Sequence, residues 1–177
     1  MKKIIFLDID GVLNIFSPSY RSADYVNLAE DTVEPHLMKR LEYIIEKTQA
    51  SIVISSHWEL SHIKTVLEQK RFKYLDKIIA RTPRVTKRIF LDLEINQDRV
   101  LNKNDNNTYL LMRGDQIQEY LLSTDFKGNY IVLEDEIDDV CGDECNVIPR
   151  NKVIEIDMNE GLSNKNAQEA INILGRD

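Results

Sequence analysis

Two aspartates, Asp8 and Asp10, stand where the apolar run beginning at Lys3 gives out, and Gly11-Val12-Leu13-Asn14 follows them. Side chains at i and i+2 on a strand face the same way, so both carboxylates are expected to emerge together at the strand end. Carboxylates that close repel unless one is protonated or a cation lies between them. A hard, oxygen-seeking ion such as Mg²⁺ suits that place. Gly11 lets the backbone turn sharply straight after the pair. Alone, an Asp-x-Asp pair also fits two solvated acids. The apolar run before it and the Gly-Val-Leu-Asn after it favour chemistry.

Three other places deliver polar groups in the same manner. Ile52-Val53-Ile54 ends in Ser55 and Ser56, hydroxyls that could hold an anion or cap the helix expected from Trp58. Tyr130–Leu133 ends in Glu134 and Asp135, with Asp138 close behind; Glu136 and Asp139 read as solvated loop acids. Arg113, just before Gly114-Asp115-Gln116-Ile117, is a permanent cation whose fork suits phosphate, or a surface partner for an acid. His57 could touch substrate or be structural. Trp58, the single tryptophan, reads as packing beneath the site.

The elements that must position these groups alternate. Strands are expected at Lys3–Asp8, Ser51–Ser55, Lys77–Ala80, Tyr130–Leu133 and Val153–Asp157. Helices are expected at Glu34–Thr48, Trp58–Lys70 and Gly114–Ser123, with a last one capped by Ser163. That order predicts an α/β fold, a Rossmann-like three-layer sandwich around a central parallel sheet of about five strands, with a minimal cap or flap. Ligands in open sheets of this kind bind at the carboxyl ends of the strands. The chain reads as one domain over 1–177. Two segments break the alternation: a long polar connection, 14–33, and a second, 81–107, read as an inserted hairpin or flap over the rim. Within the latter, Arg88–Ile95 alternates like a strand, and Asn102–Asn107 is turn-prone.

On these residues the chain resembles the haloacid dehalogenase-like (HAD) phosphohydrolase superfamily, with four motifs in order. The resemblance implies Asp8 as a nucleophile that forms an aspartyl-phosphate. It implies Asp10 as the group that protonates the leaving oxygen and then deprotonates the attacking water. Ser55 would hold a phosphoryl oxygen and Arg113 would supply the basic motif, where the superfamily usually has Lys. Asp135, with Glu134 as the alternative, would join Asp8 and Asp10 around Mg²⁺, and Asp138 would support them. Gly11, Ser56 and His57 are the expected substrate contacts. More narrowly, Ser55-Ser56-x-Trp58, Arg113-Gly114-x-x-Ile117 with Tyr120-Leu121, Val132-Leu133-x-Asp135-x-x-Asp138 and Gly161-Leu162-Ser163 resemble the small HAD phosphatase domains of RNA-repair proteins. Those relatives often carry Arg after the Trp, where this chain has Glu59.

Composition narrows the classes. The 177 residues carry 23 Lys+Arg against 30 Asp+Glu, a net charge of −7, and 42% are hydrophobic. That is globular, and too acidic for a protein that coats nucleic acid through bulk charge. No stretch approaches the roughly 20 apolar residues a membrane helix needs, and no secretory leader is evident. Cys141 and Cys145 are expected as reduced loop thiols in a cytoplasmic protein. Charge is uneven, however. From Lys64 to Arg88 nine basic residues face only Glu68 and Asp76, a net +7, so the remainder carries −14. A basic run beside a phosphate site would draw in a polyanion. The expected substrate is therefore a phosphorylated DNA or RNA end (a 3′-phosphate) or a nucleotide. The alternatives are a small metabolite or sugar phosphate, or a phosphate-binding module without turnover.

Overall fold

A computed structural model of the chain describes residues 1–15, 32–86, 100–103, 109–141 and 148–175. Its centre is β1 (Lys3–Leu7), flanked by β2 (Ser51–Ile54) and β7 (Asn129–Glu134). With β3 (Ile78–Arg81) and β8 (Val153–Glu155) these form a five-stranded, all-parallel sheet in the order β3-β2-β1-β7-β8. The strands are short apolar runs because both faces are covered. Ile5, Leu7, Ile52, Ile54, Ile131 and Leu133 point into one buried layer, which α1 (Pro35–Thr48), α2 (Leu60–Gln69) and α5 (Asn164–Leu174) complete. The alternate residues Ile4, Phe6, Val53 and Val132 point to the other, closed by α3 (Arg113–Ser123) and α4 (Ile137–Cys141). Two helical layers around one sheet make the expected three-layer α/β sandwich.

Local chemistry explains where the helices begin and end. Pro35 starts α1, and Gln49 in the left-handed region ends it. Ser163 caps α5 in a capping box with Asn166, as its position before the apolar stripe predicts. The helix after β2 begins at Leu60, not Trp58, and its N-cap residue is Glu59. Neither Ser55 nor Ser56 is therefore a helix cap.

Between β3 and α3 lies a second, three-stranded antiparallel sheet: β4 (Val85–Thr86), β5 (Val100–Lys103) and β6 (Tyr109–Leu111), ordered β4-β6-β5. Asn102 and Lys103, expected in a turn, belong to β5. The alternating run Arg88–Ile95 lies outside the described residues, as do most of 14–33 and Cys145. Cys141 ends α4 rather than lying in a loop. Among the described residues no helix is long and apolar enough to cross a membrane.

Candidate active site

Strand register assembles the site. Leu7 is paired with Ile54 on one side and with Leu133 on the other. The next residue along each strand is Asp8, Ser55 and Glu134, so three polar side chains leave three adjacent strands at one level. Backbone bonds lock that level: Asp8 N donates to Leu133 O at 3.1 Å, and Ser55 N donates to Leu7 O at 2.8 Å. Apolar residues fill the sheet below, so all three polar residues are buried.

Arg113 is brought to them by α3, whose first residue it is. Its side chain is 93% buried, with Nη2 3.9 Å from Asp8 Oδ1 and Nε 3.5 Å from Glu134 Oε2. This is a cation held inside a carboxylate cluster, unlike an exposed arginine paired with a surface acid. His57 is exposed at the margin, its Nδ1 3.5 Å from Arg113 Nη2. Ser56 is buried and its hydroxyl hydrogen-bonds the Asp8 carboxylate. Ser55 Oγ is buried without a hydrogen-bond partner among the described residues.

One carboxylate oxygen from each of Asp8, Glu134 and Asp135 lies within 4.8 Å of the others. Burial, and then the charge of Asp8, push the Glu134 carboxyl up to about 10. Asp135 is pushed up to about 6 for the same two reasons in the same order. Asp8 is raised by burial too, against the opposing pull of Arg113 and a hydrogen bond with Glu134. All three carboxyls are thus raised, so the trio favours holding a proton when only protein groups are present. Asp8 Oδ1 and Glu134 Oε2 are buried and lack hydrogen-bond partners among the described residues. An all-oxygen donor set with orphaned buried oxygens fits a small hard dication, which would supply the missing positive charge.

Asp10 lies just past the end of the strand. The chain leaves β1 at Leu7, and Asp10 opens a tight turn in which Leu13 N donates to Ile9 O at 2.8 Å. Strand alternation therefore does not set its direction. Its charge acts on Asp135, and its carboxylate is held from two sides: Asn14 Nδ2 donates to Oδ1 at 2.9 Å, and Trp58 Nε1 donates to Oδ2 at 2.9 Å. Trp58 is half-buried against the core, but packing is not its only contact. Sequence reasoning assigned neither Asn14 nor Trp58 to the site. A signal existed, since an indole N–H packed against a core needs an acceptor. Asp138 is exposed in the first turn of α4.

The basic run divides. α2 carries the chain away from the site, so Lys70, Arg71, Lys73 and Lys77 come before β3, towards the amino ends of the strands. Arg81, at the carboxyl end of β3, and Arg84 are the ones near the site. Both grip Glu59, at 3.0 and 2.9 Å. Both also bind the loop after β2: Arg81 Nη2 donates to Ser56 O at 2.9 Å, and Arg84 Nη2 donates to His57 O. Lys87 and Arg88 lie outside the described residues.

The family model of the HAD domain in Swiss Army Knife RNA repair proteins matches residues 4–167. The chain belongs to that family. The match runs from β1 into α5, so every residue of the site lies inside this HAD domain. Comparison with curated proteins gave no match, and neither did comparison with solved structures.

Proposed function

We propose that this HAD domain is a Mg²⁺-dependent phosphomonoester hydrolase acting on a phosphorylated nucleic-acid end or nucleotide in the cytoplasm. The observation that carries the reading is convergence. A buried carboxylate (Asp8), a buried hydroxyl without a hydrogen-bond partner among the described residues (Ser55) and a buried arginine (Arg113) meet at the carboxyl ends of parallel strands beside an acidic trio. Family membership supports the same reading and points to RNA repair.

The chemistry runs in two displacements. An Asp8 oxygen attacks phosphorus and the bond from phosphorus to the leaving oxygen breaks. Asp10 gives its proton to that oxygen. Water then attacks the aspartyl-phosphate, Asp10 takes a proton from the water, the bond from phosphorus to the Asp8 oxygen breaks, and inorganic phosphate departs. Ser55 and His57 offer hydrogen-bond donors to the phosphoryl oxygens, Ser56 lies beside them with its hydroxyl on Asp8, Arg113 offers a fixed positive charge, and Gly11 lets the backbone come close. Asp8, Asp135 and Glu134 would hold Mg²⁺, with Asp10 alongside, and the ion when bound neutralises charge on the phosphoryl group. Asp135 is the partner assigned to Asp8 in that role, with Glu134 as the alternative.

Phosphate release from a 3′-phosphorylated oligonucleotide and from a panel of mononucleotides, with Mg²⁺ and with EDTA, tests the reading. Mg²⁺-dependent release that Asp8→Asn abolishes is the expected result. No release from either substrate class removes the proposal, and full activity in Asp8→Asn removes Asp8 as nucleophile.

A further inference from the structure

The contacts of Asp10 reach beyond the four motifs. Its two carboxylate oxygens are each claimed by a donor from a different part of the fold, Asn14 in the turn after β1 and Trp58 in the loop after β2. Each donor is itself anchored. Asn14 Oδ1 accepts from Gly11 N at 2.9 Å, which fixes which end of its amide faces Asp10. The Trp58 ring lies 5.2 Å from the His62 ring and packs on the main core, and its backbone N donates to Ser56 Oγ at 3.4 Å. An indole N–H can only donate, so that contact always presents Asp10 as an acceptor. A carboxylate offers about four lone-pair sites, and the two contacts occupy two. A proton can therefore arrive or leave without releasing either donor.

We infer that Asn14 and Trp58 are positioning residues that hold the Asp10 carboxylate in one orientation, and that the proton steps of the reaction depend on them. This rests on the acid–base role proposed above for Asp10. Crossed donors from two independently anchored segments stop the carboxylate rotating. A misplacement of about 1 Å in a reacting group can lower a rate by about a hundred-fold. The trio holds Asp8, Glu134 and Asp135 without help from Trp58, so loss of the indole N–H is expected to act on turnover and to leave substrate affinity alone.

Two measurements on the full chain test this. The chain has one tryptophan, so ¹⁵N labelling gives a single indole N–H resonance. Asp10→Asn is expected to move it, because a charged acceptor becomes neutral; an unmoved resonance overturns the contact whether or not any activity is found. The second is stopped-flow hydrolysis of p-nitrophenyl phosphate by Trp58→Phe, which keeps the ring and removes the N–H. p-Nitrophenolate leaves without a proton, whereas water attack needs the base. The expected record is a burst of about one product per enzyme, then a steady rate lowered about ten-fold, with KM lowered alongside it so that kcat/KM stays within about two-fold of the parent value. Asn14→Asp, which keeps the acceptor for Gly11 and replaces the donor to Asp10 with a like charge, is expected to give the same burst. A raised KM with unchanged kcat, or a slower rate with no burst, overturns the inference. The catalytic reading fails separately, through the Asp8→Asn result.

Discussion

Gly11 and Asp135, 124 positions apart, are in direct apposition: a Cβ placed on Gly11 would lie 2.2 Å from Asp135 Oδ2. Gly11 also has φ +68°, a region that costs an L-residue about 1–2 kcal/mol. The turn that aims Asp10 and the carboxylate that completes the acidic trio thus share one small space. Gly11→Ala is expected to displace Asp135, weaken Mg²⁺ binding at least several-fold and lower the melting temperature. Calorimetric titration with Mg²⁺ and thermal unfolding check it. Parent-like values in both would show that the space can relax.

Arg113 is the one basic side chain that the described contacts place against both Asp8 and Glu134. Removing one partner of a buried charge cluster typically costs about 3–5 kcal/mol. Arg113→Ala is expected to unfold at clearly lower denaturant and to lose at least about a hundred-fold in kcat. Arg113→Lys keeps the charge but not the fork, and should retain stability better than activity. Denaturant midpoints with steady-state kinetics on a 3′-phosphorylated oligonucleotide separate the two effects. Equal losses in both variants contradict a role for the charge itself.

The raised carboxyls make a pH prediction whose sign is definite. A group whose pKa is raised by folding contributes stability that is fully present below its unfolded pKa and is lost as pH rises through the folded one. Asp135, ordinarily 3.8, is raised to about 6, and Glu134, ordinarily 4.5, to about 10. Without metal, stability should therefore fall from about pH 4 as Asp135 ionises and keep falling toward pH 10 through Glu134. Mg²⁺ binds the ionised trio and should reverse the loss at neutral pH, by about 2.7 kcal/mol at a hundred times its Kd. Melting curves across this range, in EDTA and in Mg²⁺, read it directly. Glu134→Gln should flatten the alkaline part of the EDTA curve; a curve that is already flat in the parent contradicts the assignment.

Glu59 neutralises part of the charge that the site would offer a polyanion, because Arg81 and Arg84 both spend a guanidinium N–H on it. Glu59→Gln removes one negative charge beside them. Binding of a 3′-phosphorylated oligonucleotide to this variant should be tighter and more salt-sensitive, with the slope of log K against log salt steeper by about 1. Fluorescence anisotropy at several salt concentrations gives that slope. No change would place the strand away from β3 and leave the pair bracing the loop after β2.

Much of this was legible in the chain itself. Buried parallel strands read as short apolar runs, and the polar residues ending them are the ones at the rim: Asp8 after Leu7, Ser55 after Ile54, Glu134 after Leu133. Ser163 announced α5 because a capping box is local chemistry. The start of α2 was less legible. Trp58 looks like a first-turn core residue, yet its N–H is drawn to Asp10, and the helix opens at Leu60. The short α4 was hidden among acids that read equally well as loop, and the antiparallel sheet between β3 and α3 was hidden because its strands have only two to four residues.

Charge was where linear reading misled most. Nine basic residues between Lys64 and Arg88 look like one patch. A helix that runs away from the rim and a strand that returns to it send Lys70–Lys77 toward one end of the sheet and Arg81 to the other. Spacing along the chain carries local periodicity, and so it specified the strands, the caps and the order in which the acids arrive at the rim. Direction and partnership depend on which strands become neighbours. The indole that holds Asp10 and the pairing of Arg113 with Glu134 joined residues tens of positions apart, because long-range sheet register brought their backbones to one level.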